Sequence, residues 1–571
     1  MAEYAAPPIQ LSPLIEKLKK EKEAANKLQE RKHEDWRDNY ELYRNRVKTN
    51  RLTQRQAVNI PLMKETIKTL LPKIDEDVNV EWRELGGDED KEILLQEIWD
   101  MNRKENKLDL TDSLDKKNVL LYGIGTKKLN LGDKGISITS LDPYDVGFDP
   151  LMSVSDIESS RFIVHQNIFR SVREIMADER YEDEGKKKLF MWVESPAGIS
   201  QSEENKKAWE AKMERLKDMG VEHQDFPLFA GGDRIVNLTE HFTNVWNTKN
   251  KAWERRVVVY ADEWIELLNE PLKDMIGVDF WPFTVWAEDP EHADIYSDSV
   301  ADLVRTPNKV LNVWFSQMLE NRTLKNFQMH WFLPQKGYIP QTYVPGPGAM
   351  LPAPPGDDIN KVIKPVEISG LEDTMAAINA LTMIVERGTG ATAIEKGTAE
   401  KGTQTLGEVQ ILVGKSVERA IGMAKFYRMA WYETCVKWSK MLHANAPKIL
   451  NLYKTSRTGK VYTKRVYASD WKSDVGYEPE IISSSEREQD VVKSIQKFMF
   501  LLGQFPNNGA LRKIAQRRML ESVDLSPEEM KQINEDETAS VVNEGMMQPQ
   551  QQLQDFSQIE DKINQLAGMA A

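Results

Sequence analysis

The sequence predicts an α+β fold of several domains dominated by long helices, and three observations carry that expectation. Apolar residues recur at helical spacing from Val300 to Met318, from Met375 to Val385, and onward from Leu406 to His443. The stretch between the first two holds prolines at 334, 340, 345, 347, 352, 354, 355 and 365, which forbids continuous helix and disfavours a central strand. Ahead of them, 236–268 alternates strand-like runs with turn residues, the pattern of a β-meander. With 571 residues the chain exceeds one simple core, so two to four domains are expected.

The elements follow in order. Ser12-Pro13 reads as an N-cap with proline at the first helical position. The helix behind it is heavily charged to about Arg31. Trp36, Tyr40, Tyr43 and Val47 then form one aromatic stripe at four-three-four spacing, a packing face against neighbouring helices. A second helix follows Pro61, with Met63, Ile67 and Leu70-Leu71 apolar, and Pro72 is expected to stop it. Helical stretches are expected over Ile93–Asp100 and Leu108–Leu121.

From Gly123 the pattern changes to strands and turns. Ile136, Ile138 and Leu141 suggest a short strand, and Asp142-Pro143 and Asp149-Pro150 mark turns. Lys186 to Met219 is mostly charged, with a surface helix expected around Lys206–Lys217. The meander comprises Val236–Trp246, the turn Thr248-Lys249-Asn250-Lys251, Trp253–Tyr260 and Trp264–Leu268. Phe280–Trp286 adds an apolar strand before the acidic link Glu288-Asp289-Pro290-Glu291.

A hairpin of helices comes next. The stretch from about Ser297 to Arg322 would be roughly 39 Å long, with Pro307 as a kink. After the proline-rich insert, Ser369-Gly370-Leu371-Glu372 is a capping box for a second helix, which Arg387-Gly388 ends. A loop of glycine, threonine and alanine with four charges leads to another capping box, Thr405-Leu406-Gly407-Glu408. The helix it opens can run to about His443, roughly 57 Å, with bends allowed at Gly414 and Gly422, and Ala446-Pro447 terminates it. A second β region covers Leu450–Lys454, Lys460–Tyr467 and Tyr477–Ile482, with partners expected from the earlier meander. Short C-terminal helices follow from Ser485, and 548–554 is glutamine-rich.

Composition narrows the function. A formal net charge of -14 argues against a tight, general nucleic-acid binder, which needs a basic stripe to displace counterions. Cys435 is the only cysteine, so internal disulfides and cysteine-based zinc clusters are impossible, and its apolar neighbours Trp431 and Trp438 mark it as a small buried hydrophobe. No signal peptide and no apolar run near 20 residues is present, which implies a protein made and folded in a cytoplasm with no membrane partner.

The candidate motifs point away from enzymes. Gly123-Ile124-Gly125-Thr126-Lys127-Lys128 lacks the third glycine of a dinucleotide fingerprint and follows a helix, so it reads as a helix C-cap leading into a hairpin. Gly397-Thr398-Ala399-Glu400-Lys401-Gly402-Thr403 lacks the contiguous Gly-Lys-Thr that holds phosphates and magnesium. Asp142, Asp145 and Asp149 could hold a divalent ion as in metal-dependent nucleases, yet aspartate before proline is a turn residue first. No zinc-hydrolase or nucleophile-elbow spacing occurs. Neither catalytic residues nor a cofactor or metal is expected.

An ordered set of features carries a resemblance over most of the chain. These are Asn59-Ile60-Pro61 after the early helices, and the Gly123-x-Gly125 turn leading to Leu141-Asp142-Pro143-Tyr144-Asp145 and Phe148-Asp149-Pro150. Trp281-Pro282-Phe283-Thr284-Val285, the Asp298–Asn312 helix and the proline-rich insert follow. The second helix and Gly390-Ala391-Thr392-Ala393 before the long helix complete the set. In this order they resemble the portal, or head–tail connector, proteins of tailed double-stranded DNA bacteriophages.

The resemblance implies a phage-portal-like subunit with a two-helix stem, a small β-rich clip and a mixed α/β wing. Carried onto this chain, the wing would be 1–296 and 405–482, the stem helices 297–324 and 369–387, the clip 325–368, and the tunnel loop 388–404. Residues 483–571 would form the crown and C-terminal tail, with the crown shorter than the family's. The resemblance further implies a dodecameric ring at the capsid vertex of the virion, assembled in the host cytoplasm. Its expected partners are DNA in transit, the terminase or packaging ATPase, the major capsid protein, and head–tail adaptor or tail proteins. Thr392, Lys396, Thr398, Lys401 and Thr403 are the expected DNA-facing loop residues, and Asp298, Asp302 and Arg305 the expected stem residues facing the channel or a neighbouring stem. Another ring-forming head–tail adaptor, or a metal-dependent nuclease on the three aspartates, are the alternatives.

Overall fold

The computed structural model describes residues 13–46, 58–74, 78–132, 135–194, 234–248, 250–261, 264–292, 294–327, 330–332, 350–352, 363–365, 372–391, 406–447, 449–455 and 461–483. The chain divides into two units, Met1–Ile482 and Ser483–Ala571. The expected C-terminal helices and the expected helix at 206–217 lie outside the described residues.

Helix α1 (Pro13–Tyr43) is continuous, and Trp36, Tyr40 and Tyr43 of the expected stripe pack against the core, while Val47 lies outside the described residues. Trp36 is 1% exposed and meets Tyr122, Tyr144 and Tyr296 edge-on, with ring centroids 5.1–5.8 Å apart. Helix α2 (Leu62–Ile74) runs through Pro72 instead of stopping there. A proline costs most in a helix interior, and here it falls in the last turn. Strand β1 (Val78–Glu84) follows, then α3 (Glu89–Glu105), which Asp88 caps by accepting from Lys91 N, and α4 (Leu108–Tyr122).

Gly123 ends α4 at φ +81°, in the left-handed region that the C-cap reading requires. A Cβ there would also lie 2.0 Å from the Ser297 carbonyl oxygen, so the position takes glycine for space as well as for φ. Strand β2 (Gly125–Gly132) pairs antiparallel with β3 (Gly135–Ser140). Strands β4 (Val146–Phe148) and β5 (Phe162–Ser171) and helices α5 (Val172–Ala177) and α6 (Asp183–Glu194) are additions the sequence reading lacks.

The meander is present as β6 (Ile235–Asn247), β7 (Ala252–Ala261) and β8 (Ile265–Pro271). With β4 and β5 these make one five-stranded antiparallel sheet in the order β4-β5-β6-β7-β8. Helix α7 (Leu272–Ile276) leads to β9 (Phe283–Trp286), which joins β2 and β3 in a second sheet.

Helix α8 (Val300–Asn326) is the first limb of the hairpin and continues through Pro307. Three short strands stand in the insert, β10 (His330–Phe332), β11 (Met350–Pro352) and β12 (Ile363–Pro365). The proline-free β10 is central, and both strands that end in proline are edges, as a residue without N–H demands. Helix α9 (Glu372–Thr389) is the second limb and packs on α8. It passes Gly388 and ends instead at Gly390, φ +75°, whose N–H donates to the Glu386 carbonyl at 2.8 Å. The capping box expected at Ser369 lies outside the described residues.

Helix α10 (Leu406–Ala444) is the longest. Strands β13 (Ile449–Thr455) and β14 (Val461–Tyr467) pair with each other, and after α11 (Ala468–Trp471) strand β15 (Tyr477–Ser483) pairs with β1. The expectation that the meander supplies their partners is therefore wrong. Its strands already close into their own sheet with β4 and β5, while β13 and β14 are joined by a short connection and find each other first.

Candidate functional site: a helical hairpin and its anchors

The root of α8 is fixed by its own cap. Ser299 Oγ accepts from Asp302 N at 3.2 Å and the Asp302 carboxylate accepts from Ser299 N at 2.8 Å, a capping box that satisfies donors a helix start leaves open. The second carboxylate oxygen of Asp302 accepts from Asn39 Nδ2 at 3.0 Å and from Arg305 Nη1 at 2.8 Å. Arg305 Nη1 also lies 2.8 Å from Asp35 Oδ1.

These contacts belong to a ladder of charges between α1 and the stretch 294–309, which comprises the lead-in to α8 and its first turns. Arg31 lies 3.2 Å from Asp294, Lys32 lies 2.9 Å from Asp298, and Asp38 pairs with Lys309. The sign of α1 changes from basic at 31 and 32 to acidic at 35 and 38, and that of its partners changes in the opposite sense. Exposed pairs of this kind are each worth about 0–1 kcal/mol. Their alternation matters more for register, because sliding one helix along the other would oppose like charges.

A second face of α8 holds the segment before α2 through polar side chains spaced by one turn. Asn308 Oδ1 accepts from Met63 N at 2.9 Å and its Nδ2 donates to the Ile60 carbonyl at 3.1 Å. Asn312 Oδ1 accepts from Ile60 N at 2.7 Å, and Ser316 Oγ accepts from Val58 N at 3.1 Å. Asn308 is fully buried, so the extended backbone around Pro61 finds in α8 the partners that a strand would otherwise supply.

The loop after α9 starts from a buried base. Ile378 and Val385 are buried, Thr389 Oγ1 donates to the Val385 carbonyl at 2.8 Å, and Ala391 is fully buried. The outer face of α9 stays apolar and exposed at Met375, Met383 and Ile384.

On the far side of that loop, the C-terminal half of α10 is locked onto α4 and β2. The Asp112 carboxylate accepts from Trp431 Nε1 at 2.8 Å, from the Tyr427 hydroxyl, and pairs with Lys116 Nζ at 2.6 Å. Beside it, Asp115 accepts from Trp286 Nε1 at 2.6 Å and pairs with Lys127 Nζ at 2.9 Å. Both lysines are 1% exposed, and Lys127 also lies 4.7 Å from the Trp431 ring centre. Gly125 makes room: a Cβ there would sit 2.5 Å from Trp286 Nε1. Burial drives the Tyr427 hydroxyl far above its ordinary pKa, with Asp112 acting in the same direction. Beyond this point Trp438 packs on Trp99 and Trp82 at 4.8 and 5.5 Å, and Cys435 is fully buried, its thiol pushed well up by burial.

The expected site residues fall into two groups. Asp298, Asp302 and Arg305 stand at the junction of α8 with α1; the Asp298 side chain is 73% exposed, whereas Asp302 and Arg305 are taken up within the chain. Thr392, Lys396, Thr398, Lys401 and Thr403 lie outside the described residues. The three aspartates of the nuclease alternative serve turns and pairs. Asp142 accepts from Tyr144 N at 3.1 Å, Asp145 from Asn167 Nδ2 at 3.0 Å, and the buried Asp149 holds Arg161 through both oxygens at 2.5 and 2.6 Å. The sequence reading missed Asn308, Asn312 and Ser316, and also Asp112, Lys116 and Lys127. The signal for the first set was available as polar residues at four-residue spacing on an otherwise apolar helix face.

Two packed helices flanking a small sheet in sequence, followed by a long helix anchored on an α+β body, define the class of a phage portal subunit. The family model described as Phage SU10 portal protein matches residues 73–520. The chain belongs to that family, whose members are structural, ring-forming components of the phage capsid. The match begins after α1, so the helix that braces α8 lies outside it. A comparison with curated proteins found no match. Among the described residues, no helix is long and apolar enough to cross a membrane.

Proposed function

We propose that copies of this chain close into a ring of about twelve subunits around a DNA channel at one capsid vertex. Double-stranded DNA is packaged and ejected through it, the packaging ATPase docks on it first, and head–tail adaptor or tail proteins follow. In this reading α8 and α9 are the stem, the insert 325–368 is the clip, 388–404 is the tunnel loop, and the sheets with α1–α4 and α10 form the wing. Residues 483–571 are the crown and tail.

The observation that carries the reading is the family match over residues 73–520 together with the packed pair α8 and α9, whose second limb ends on the buried Ala391 just before the loop. Farther along the chain, Tyr427 and Trp431 tie α10 to Asp112. Duplex DNA bears a charge about every 1.7 Å, so a uniformly basic wall would hold it fast. A chain of net charge -14 with Lys396 and Lys401 in the loop gives repulsion with brief contacts instead. The alternative of another head–tail adaptor gains no observation of its own.

Electron microscopy of the purified full chain tests the ring directly, and a compact monomer overturns it. Deleting 390–402 is expected to leave rings intact while DNA packaging or retention falls; rings that fail to form contradict a role confined to the channel.

A further inference from the structure

Helix α1 crosses the five-stranded sheet one strand per turn. Leu18 packs with Val258 and Tyr260 on β7, Glu21 meets His241 on β6, and Ala25 packs with Phe162 and Val164 on β5. One turn on, Gln29 Nε2 donates to the Val146 carbonyl on β4 at 3.2 Å. The helix pitch of about 5.4 Å nearly matches the strand spacing of about 4.8 Å, so each turn delivers one side chain to the next strand. The front of the helix is thinly held. Its buried apolar residues Leu18 and Ala25 sit in two small clusters apart from the main core, in which Trp36 and Leu42 are the buried residues of α1.

His241 stands between those clusters. It is 0% exposed and lies opposite Val164 on one side and Val258 on the other. Its Nε2 is 2.9 Å from Glu21 Oε2, and an ionised carboxylate only accepts, so Nε2 carries the proton. Nδ1 is then the bare nitrogen. It is buried, and among the described residues it has no hydrogen-bond partner. A second proton would go to Nδ1, where no acceptor waits. Glu21 offsets that cost only in part, because its other oxygen already takes Lys17 at 3.5 Å and the Thr243 hydroxyl at 3.3 Å.

The remaining ionisable neighbours give no relief. Lys17 and Lys22 on α1 repel an imidazolium, and the Tyr260 ring on β7 is 6.3 Å away. Arg161 beside β5 is held by Asp149, and Glu240, next on β6, faces the other way toward Lys128 and His165. Burial accordingly lowers the pKa of His241 by more than the Glu21 hydrogen bond raises it.

We propose that the Glu21–His241 pair is an acid-sensitive latch: a second proton on the imidazole releases the front of α1, residues 13–30, from the sheet, while 31–43 stay on the core. Release bares the apolar strip of Phe162, Val164, Val258 and Tyr260. A detached imidazole takes its proton at the ordinary value of 6.5 and the latched one only below it, so the detached state binds the proton first. The latch is thus at full strength above pH 6.5 and weakens as pH falls, by at most about tenfold per unit. It depends on neither the ring nor the tunnel loop, and α1 precedes the family match that begins at residue 73.

Amide exchange of the full chain at pH 7.5 and 5.5, expressed as protection relative to the free-peptide rate at each pH, tests the latch in wild type and H241Q. Glutamine keeps an N–H for Glu21 and cannot take a proton. In wild type, protection over 18–28 is expected to fall several-fold, up to about tenfold, with 36–42 unchanged; in H241Q it is expected to stay level. Level protection in wild type, an equal fall in H241Q, or a fall spread evenly over the chain each overturns the proposal. Should H241Q leave 18–28 unprotected at pH 7.5, E21Q decides. It keeps an acceptor for Nε2 without the charge that favours the imidazolium, so the fall is expected to continue to lower pH than in wild type, and an unchanged course overturns the latch.

Discussion

The carboxylate of Asp302 receives Asn39 Nδ2 at 3.0 Å while it caps its own helix, so one side chain joins α1 to the root of α8. Asp302→Ala removes the reciprocal half of the capping box and this bridge together, while Ser299 Oγ can still accept from the N–H at 302. Asn39 keeps its bond to the Leu121 carbonyl at 3.0 Å and Arg305 keeps Asp35, so neither is stranded. The loss is then that of two hydrogen bonds to a carboxylate, one to the Ser299 N–H and one to Asn39, about 1–2 kcal/mol in all. Amide exchange over the first turn of α8 is expected to quicken about tenfold, with distant helices unaffected; uniform acceleration would show that the residue acts on the whole fold.

Asn308 presents a costlier loss because it serves a buried donor and a buried acceptor at once. Asn308→Ala leaves Met63 N and one lone pair of Ile60 O without their partner, at about 1–3 kcal/mol for each group. Asn308→Asp keeps the acceptor but sets a buried carboxylate against the Ile60 carbonyl, so it is expected to cost at least as much as alanine. Urea unfolding of the two variants reads the difference; an aspartate variant as stable as wild type would show that the side chain is not buried as described.

How much of this was legible in the sequence depends on the range of the interaction involved. Local signals read well. The Gly123 cap, the meander from Val236 and the helix through Pro307 all follow from turn chemistry and periodicity. Pairings set by distant partners did not, since β1 reaches β15 across almost 400 residues and nothing local to either names the other. Boundaries slipped where a breaker sat in a last turn, as at Pro72 and Gly388. At the site, Asp302 and Arg305 were expected to face the channel or a neighbouring stem, and their partners Asn39 and Asp35 on α1 were not expected. Asp112 and Lys116 stand at i, i+4, a spacing common for ion pairs on helix surfaces, and the arrival of Tyr427 and Trp431 from over 300 residues away makes them buried.

That burial sets the next expectation. Asp112→Ala would remove the ion pair of Asp112 with Lys116 at 2.6 Å, and loss of one member of a buried pair costs about 3–5 kcal/mol. Replacing both, as in D112A/K116M, takes the buried lysine charge away as well and is expected to recover much of that loss. Thermal unfolding of the four proteins forms a double-mutant cycle. If the double variant is no better than D112A, the hydrogen bonds to Tyr427 and Trp431 are the larger contribution and the ion pair is incidental.

Glu288 makes the root of α8 sensitive to pH. Burial pushes its carboxyl up to about 7, and neighbouring Asp289 adds to the rise, while the N–H of Val300 at the start of α8 opposes it. One of its oxygens is buried without a hydrogen-bond partner. The sign follows from the protons bound. With an ordinary value of 4.5 in the unfolded chain and about 7 in the folded one, the native state holds the extra proton between those limits. Its contribution is thus fully present below about pH 4.5 and is lost as pH rises through 7, by about 1.4 kcal/mol per unit at most, less what partial exposure to solvent screens. Glu288→Gln keeps the shape and cannot ionise. Subtracting its urea unfolding curves from those of wild type between pH 5 and 8 isolates this group from every other titration. The difference is expected to favour the variant increasingly from pH 5 to about 7 and to level off above it; a flat difference throughout would mean that the carboxylate is ionised at every pH and that water reaches it at the helix root.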